Sequence, residues 1–159
     1  MMQRTGIEQA IEKYGFLVHT FSGVSMMPML NQKQDAVRLV KPKRPLKRYD
    51  IVLYGREDGA VVLHRIIRVK KDGYLIRGDN CLWNEWVRAE QMIALAEGIY
   101  KNGDYLACEE RQMKWYALRQ GLTLPWRRLR WRLGCIFRLL KRRMDRCRGK
   151  EGKYEQTGG

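Results

Sequence analysis

The sequence has few of the features that mark membrane-spanning or exported chains. No stretch is long and apolar enough to cross a bilayer, because even the uncharged segment from Gly15 to Gln32 contains His19, Ser22 and Ser25. Acidic residues precede that segment, so it does not resemble a secretory signal peptide. An uncharged segment that is neither a membrane span nor a leader invites a functional explanation.

Cysteine and histidine are also scarce. The four cysteines, at positions 81, 108, 135 and 147, show no CxxC or zinc-ligand spacing, and there are only two histidines. Scattered cysteines in a chain of 159 residues do not indicate a disulfide framework, so we interpret them as reduced thiols of a cytoplasmic protein. The sequence predicts neither a metal site nor a cofactor.

Acidic residues are rare in one part of the chain only. Residues 111–150 contain 14 Lys or Arg and one acid, Asp145, so they carry almost all of the formal net charge of +15. The remainder is close to neutral. We therefore divide the chain into a body at 1–110, a basic helical tail at 111–148 and a disordered polar end at 149–159.

Short apolar segments separated by turn residues dominate the body. Periodicity and β-branched runs predict a short helix at 5–14 and strands at 16–21, 36–40, 50–54, 61–69, 74–77 and 91–100. Asp72-Gly73 marks a hairpin turn between two of these strands. The pattern indicates a mainly β fold, a partly closed antiparallel sheet with a short N-terminal helix and a basic C-terminal amphipathic helix.

The tail has the apolar spacing of an amphipathic helix from Leu122 to Met144, and Thr123 and Pro125 suit its first turn. Arginine and tryptophan together favour attachment to an anionic membrane surface, through Trp126, Arg127, Arg128, Arg130, Trp131 and Arg132. Nucleic-acid binding by phosphate neutralisation is a less favoured alternative. Packing on the body with a solvated polar face is a third.

Three segments carry residues suited to nucleophilic chemistry. Ser25 lies on a turn beside Gly23, a residue free to adopt positive φ. His64 lies in the strand at 61–69, and a neutral imidazole within reach activates a serine hydroxyl. Asp79 follows the partner strand and could orient that imidazole. Taken singly, each residue is also typical of ordinary structure: a strand-end turn, a packed core histidine and a turn aspartate.

Together the segments resemble the motifs of the signal peptidase and SOS-repressor clan of serine peptidases. Phe-Ser-Gly-Val-Ser-Met-Met-Pro at 21–28 resembles the nucleophile box of that clan, and Asp-Ile-Val at 50–52 and Gly-Asp-Asn at 78–80 resemble its two later boxes. Many members use a lysine base before an arginine, whereas His64 precedes Arg65 here. That choice resembles the archaeal and endoplasmic-reticulum type of type I signal peptidase, including its Gram-positive relatives. The resemblance covers roughly residues 16–100.

The resemblance implies a serine endopeptidase that removes leader or signal sequences from precursor peptides. Ser25 would attack the scissile carbonyl and His64 would act as general base. Asp79 would orient His64, with Glu85 as the alternative acid. The substrate would bind as an added β-strand with small residues before the cut.

The resemblance implies an oxyanion hole at the serine turn of Gly23, Ser25 and Met26, with the backbone N–H of Ser25 and that of a neighbour as donors. Signal peptidases of this type carry a membrane-anchoring helix before the serine box, and the 24 residues before Ser25 predict none. We therefore expect a cytoplasmic protein held peripherally at the membrane, with the outer face left open. Two other functions also stay open: a self-cleaving repressor-type regulator and an inactive peptide-binding module on the same fold.

Overall fold

A computed structural model describes residues 4–151 and places a single antiparallel sheet between two helices in the chain order. The elements are α1 (Arg4–Tyr14), β1 (Phe16–Thr20), β2 (Ala36–Val40), β3 (Ile51–Gly55), β4 (Val61–Lys70), β5 (Gly73–Arg77), β6 (Glu85–Val87), β7 (Met92–Lys101), β8 (Asp104–Ala107) and α2 (Glu110–Glu151). A short 3-10 turn at Ala89–Gln91 precedes β7. The mainly β fold class with a helix at each end is confirmed. β6 and β8 were not predicted, because three or four residues are too few to show an alternating pattern.

Hydrogen bonds join the strands in the order β1-β2-β7-β3-β4-β5-β6, with β8 pairing on β7. Every ladder is antiparallel. Within residues 4–151 the sheet stays open, since β1 and β6 form the two ends of the path.

Both faces of the central strands are buried. Ile51 and Leu53 point into a large core with α1, whereas Val52 and Tyr54 point into a second, smaller cluster on the opposite face. All five residues of β3 are buried as a result. Because successive side chains of a strand alternate between faces, consecutive residues of the neighbouring β4 also enter different cores.

The chain divides into two compact units, the first ending at Gln120 and the second beginning at Gly121. The sequence predicts the boundary between body and tail ten residues earlier, after residue 110. Met113 and Ala117 are buried in the first unit, so the first turns of α2 belong to it.

The tail helix differs from its prediction at both ends. α2 begins at Glu110 and contains Pro125 in its interior, so the prediction that Thr123 and Pro125 form its first turn is wrong. Proline is most common in a first turn, because in a helix interior it removes one backbone hydrogen bond and costs about 3 kcal/mol. Of the end predicted to be disordered, residues 149–151 are helical, and residues 152–159 lie outside the described part of the chain.

Candidate active site

The serine turn and the histidine strand meet at one cavity of about 380 Å³. Ser25 follows β1 in an irregular segment, His64 lies in β4, and both line this cavity. The structure therefore brings together the predicted nucleophile and the predicted base. Among the described residues, no hydrogen bond joins the Ser25 hydroxyl to His64. In enzymes without bound substrate such bonds are often long and tighten only in the complex.

Gly78 packs against both the serine turn and His64. A Cβ at this position would lie 2.6 Å from the carbonyl oxygen of Ser25 and 2.9 Å from Nε2 of His64. Any larger residue would displace one of them. The turn that follows also holds the serine segment, since the Asn80 N–H donates to the Ser25 carbonyl at 2.7 Å. The Gly-Asp-Asn box thus positions Ser25 through its backbone.

The backbone N–H groups of the serine turn differ in whether they are already bonded. Gly23 adopts φ of +117°, as its place in the turn predicted, and its N–H donates to the Gln32 side chain at 3.2 Å. Gly23 therefore shapes the turn, and its N–H is not free to bind an oxyanion. The N–H groups of Ser25 and Met26 donate to no other group in the described part of the chain.

His64 is buried, with 5% of its surface exposed. Desolvation lowers the pKa of His64 to about 4, with Arg56 lowering it further and Glu85 and Asp79 opposing the shift. The imidazole is therefore neutral at pH 7, the state that a general base requires. Its Nδ1 lies 3.1 Å from the Tyr54 hydroxyl oxygen.

Asp79, the predicted orienter of His64, makes no hydrogen bond to it within residues 4–151 and acts on it only through its charge, which raises the pKa of the imidazole. Both oxygens of the Asp79 carboxylate accept hydrogen bonds from Arg65, each at 2.8 Å, and the hydrogen bond at Nδ1 of His64 involves Tyr54 instead. Arg65 follows His64 on β4, and consecutive side chains of a strand point to opposite faces of the sheet. The Asp79 carboxylate, which pairs with Arg65, therefore lies on the face opposite His64. Met29, Met113 and the carbonyl of Tyr49 complete the surroundings of the guanidinium.

Glu85, the alternative acid, reaches His64 through Tyr54. The Tyr54 hydroxyl donates to Oε2 of Glu85 at 2.8 Å, and Arg56 donates to both carboxylate oxygens. Burial raises the pKa of Glu85, but the hydrogen bonds from Arg56 and Tyr54 outweigh it, and the net shift is downward. Glu85 is therefore an ionised carboxylate at pH 7.

Sequence reasoning missed Tyr54, Arg56 and the structural role of Arg65. The contact between Tyr54 and His64 could have been expected from the pairing of β3 with β4. Tyr54 pairs with Val62, which makes it the diagonal neighbour of His64 on the same face, within reach of a long aromatic side chain.

No family model matches the sequence, and no curated protein is similar to it. The resemblance to the signal peptidase clan therefore stays a prediction from the three sequence boxes. In the part of the chain that the structure describes, no three His, Cys, Asp or Glu side chains are grouped as metal ligands.

The residues predicted to bind an anionic partner lie in the second unit. Trp126, Arg130, Trp131 and Arg132 are exposed, and Arg127 and Arg128 are partly buried. No helix between residues 4 and 151 combines the length and apolarity needed to cross a bilayer.

Proposed function

We propose that the protein is a serine endopeptidase of the signal peptidase type, which cleaves leader or signal sequences from precursor peptides. The observation that carries the proposal is the shared cavity of Ser25 and a buried, neutral His64, with Gly78 placing no side chain where the serine turn approaches the imidazole. A serine hydroxyl becomes an effective nucleophile when such a base is in reach.

The chemistry follows from the groups around the cavity. The Ser25 oxygen attacks the scissile carbonyl carbon while Nε2 of His64 takes the hydroxyl proton. The backbone N–H groups of Ser25 and Met26 stabilise the oxyanion. Collapse of the tetrahedral intermediate breaks the C–N bond, and His64 returns the proton to the departing amine. A water molecule then hydrolyses the acyl-enzyme by the same route.

The edge of β4 supports binding of an extended peptide. Residues 61–64 pair with β3, whereas the β4–β5 ladder begins only at Arg65. The first part of β4 therefore has one edge without a strand partner among the described residues, and it borders the cavity. A peptide added there as a strand would place alternate side chains among Phe21, Leu30 and Val37, which suits small apolar residues before the cut.

The test is cleavage of leader-bearing precursor peptides, followed by mass spectrometry. We expect specific cleavage by the wild type and a loss of at least about 10³-fold for Ser25→Ala. Ser22→Ala is the matched control, because Ser22 is the only other serine in the chain and is exposed. Cleavage only of the chain itself would favour the self-cleaving regulator. Peptide binding without any cleavage would favour the inactive module.

We also propose that the tail attaches to an anionic membrane surface. Leu122, Trp126, Leu129, Leu133, Ile136 and Phe137 follow helical spacing, and 46–82% of the surface of each is exposed. Residues 121–138 contain no acid, and arginines flank this apolar stripe. Such a helix lies at the lipid headgroup boundary, with tryptophan favoured there.

The charge pattern argues against the other partners. A second copy of the tail would place arginines opposite arginines with only Asp145 to pair with them. Nucleic acid would neutralise the arginines but would leave the apolar stripe in water. An anionic lipid surface both neutralises the arginines and removes the apolar stripe from water.

Co-sedimentation of the full chain with vesicles tests the tail. We expect binding to vesicles that contain phosphatidylglycerol, and weaker binding to pure phosphatidylcholine or at high salt. Leu129→Ser with Leu133→Ser should weaken binding at unchanged net charge, whereas Arg130→Gln with Arg132→Gln should mainly reduce the dependence on anionic lipid. Binding to duplex DNA that exceeds binding to anionic vesicles would overturn the proposal.

Variants that lack the tail should end at Gln120, because Met113 and Ala117 are buried in the first unit and their removal would disturb its core.

A further inference from the structure

The Tyr54 hydroxyl stands between His64 and Glu85. Its oxygen lies 3.1 Å from Nδ1 of His64 and 2.8 Å from Oε2 of Glu85. The tyrosine is fully buried, and its ring packs in the cluster that covers this face of the sheet.

Counting hydrogens fixes the direction of both bonds. An ionised carboxylate only accepts, so the single hydroxyl hydrogen of Tyr54 points to Glu85. Arg56 bonds both oxygens of that carboxylate and so keeps it ionised. The remaining contact of the Tyr54 oxygen, to Nδ1 of His64, then requires a hydrogen on Nδ1. A neutral imidazole with its hydrogen on Nδ1 leaves Nε2 as a bare lone pair.

We infer that Tyr54 is a positioning residue that holds His64 in the Nδ1–H tautomer and so keeps Nε2, the nitrogen beside Gly78 and Ser25, as the proton acceptor. The inference rests on the proposed function for its catalytic meaning. It assigns to a tyrosine and a distant carboxylate the part that a directly bonded aspartate has in a serine triad.

The opposite tautomer would break this arrangement. With its hydrogen on Nε2, His64 would present a lone pair to Tyr54, and Tyr54 would have to turn its hydrogen away from Glu85. Oε2 of Glu85 would then lose its hydrogen bond from Tyr54; if Tyr54 kept that bond, its oxygen and Nδ1 of His64 would face each other at 3.1 Å with no hydrogen between them. The same tautomer would also carry a hydrogen where the Ser25 proton must go.

Nitrogen NMR tests the tautomer without any substrate. The chain has two histidines, so the imidazole spectrum of the full-length protein contains two spin systems, and His19→Asn identifies that of His64. At pH 7 we expect Nδ1 of His64 to be the protonated nitrogen and Nε2 the unprotonated one. In Tyr54→Phe we expect a mixture of tautomers or a shift to Nε2–H.

Tyr74→Phe is the matched control, because Tyr74 packs against the same cluster and makes no described contact with His64. It should leave the tautomer unchanged. Should Tyr54→Phe fail to fold, Glu85→Gln gives the second variant: its amide can donate to Tyr54, which frees the tyrosine hydrogen for Nδ1 and should favour Nε2–H. A wild-type His64 protonated on Nε2, or a tautomer unaffected by a folded Tyr54→Phe variant, would overturn the inference.

Kinetics separate this inference from the proposed function. We expect Tyr54→Phe to lower kcat by about 10²-fold with little change in KM, which is within the range of general-base catalysis. An unchanged kcat would overturn the positioning role. A wild type that cleaves no peptide would refute the peptidase proposal, while the NMR result would still decide whether Tyr54 sets the tautomer.

Discussion

His64 and Arg65 are consecutive residues of β4, yet they belong to two different polar networks on opposite faces of the sheet. Arg65 is 1% exposed and forms a closed pair with Asp79, in which both carboxylate oxygens accept from the guanidinium. Within residues 4–151 the side chain of His64 makes one hydrogen bond, to Tyr54 and through it to Glu85, and its Nε2 lies beside Gly78 in a residue that lines the cavity. A closed network stabilises the fold, whereas one that ends in a free lone pair at a cavity can take up a proton.

The two networks are linked at the serine turn. Asp79 pairs with Arg65, and the next residue, Asn80, donates its N–H to the carbonyl of Ser25. The structural network thus holds the nucleophile next to the base of the other network. Substitutions in the Arg65 network should therefore lower the free energy of unfolding, whereas substitutions in the His64 network should lower the rate of catalysis.

The largest effect is expected for Asp79→Asn. It leaves Arg65 charged and buried without its counter-ion, and breaking such a pair costs about 3–5 kcal/mol of unfolding free energy. Urea unfolding measures the loss. The double variant Arg65→Met with Asp79→Leu should recover most of it, since an apolar pair of similar volume is often as stable. A folded Asp79→Asn variant with unchanged stability and no activity would instead restore Asp79 as the orienter of His64.

Gly78→Ala should damage the site more than the fold. The new methyl would meet both Ser25 and His64 at less than 3 Å, so we expect a loss of activity of about 10²-fold and about 1–3 kcal/mol of overpacking cost. Gly6→Ala in α1 is the control, because nothing lies within 4 Å of its added Cβ. It should slightly stabilise the protein, as alanine does within a helix. Full activity in Gly78→Ala would show that Ser25 and His64 do not need their present spacing.

The smallest effect concerns pH. The folded-state pKa of His64, about 4, lies below its unfolded value of about 6.5, so between these values only the unfolded chain binds the proton. The unfolding free energy therefore falls as the pH drops through this window, by on the order of 2 kcal/mol at pH 4.5. Unfolding curves at pH 7 and 4.5, compared with those of His64→Gln, isolate the contribution. An equal pH dependence in both proteins would show that His64 is not held neutral by burial.

Much of the site could be predicted from local sequence. The β-branched run at 61–69 identified β4 to within one residue, and the Ser-Gly and Gly-Asp-Asn turns bracket strands where expected. The tail is helical, as its apolar spacing predicted, but Pro125 does not mark its beginning. Proline is permitted in the first turn of a helix, but its presence does not mean that a helix begins there. Here α2 begins earlier in the chain, where Met113 packs into the core of the first unit.

The choice between the two candidate acids could not be made from the sequence. Asp79 lies near His64 along the hairpin, and Glu85 lies farther along the chain, so sequence distance favours Asp79. The outcome depends on which face each side chain enters. β6 pairs with β5 so that Glu85 lies opposite Ile76, on the face of Ile66 and Tyr54, whereas the turn at 78–80 directs Asp79 to Arg65.

The sequence by itself determined the residue types of the site, the positions of six of the eight described strands and the charge of the tail, because these follow from side-chain chemistry and short-range periodicity. Only the tertiary structure decided that Tyr54 contacts His64, that Asp79 pairs with Arg65, and that the Gly23 N–H is already satisfied. Those contacts depend on strand register and on the direction in which turn residues point. Both are fixed by packing between segments that are distant in the chain.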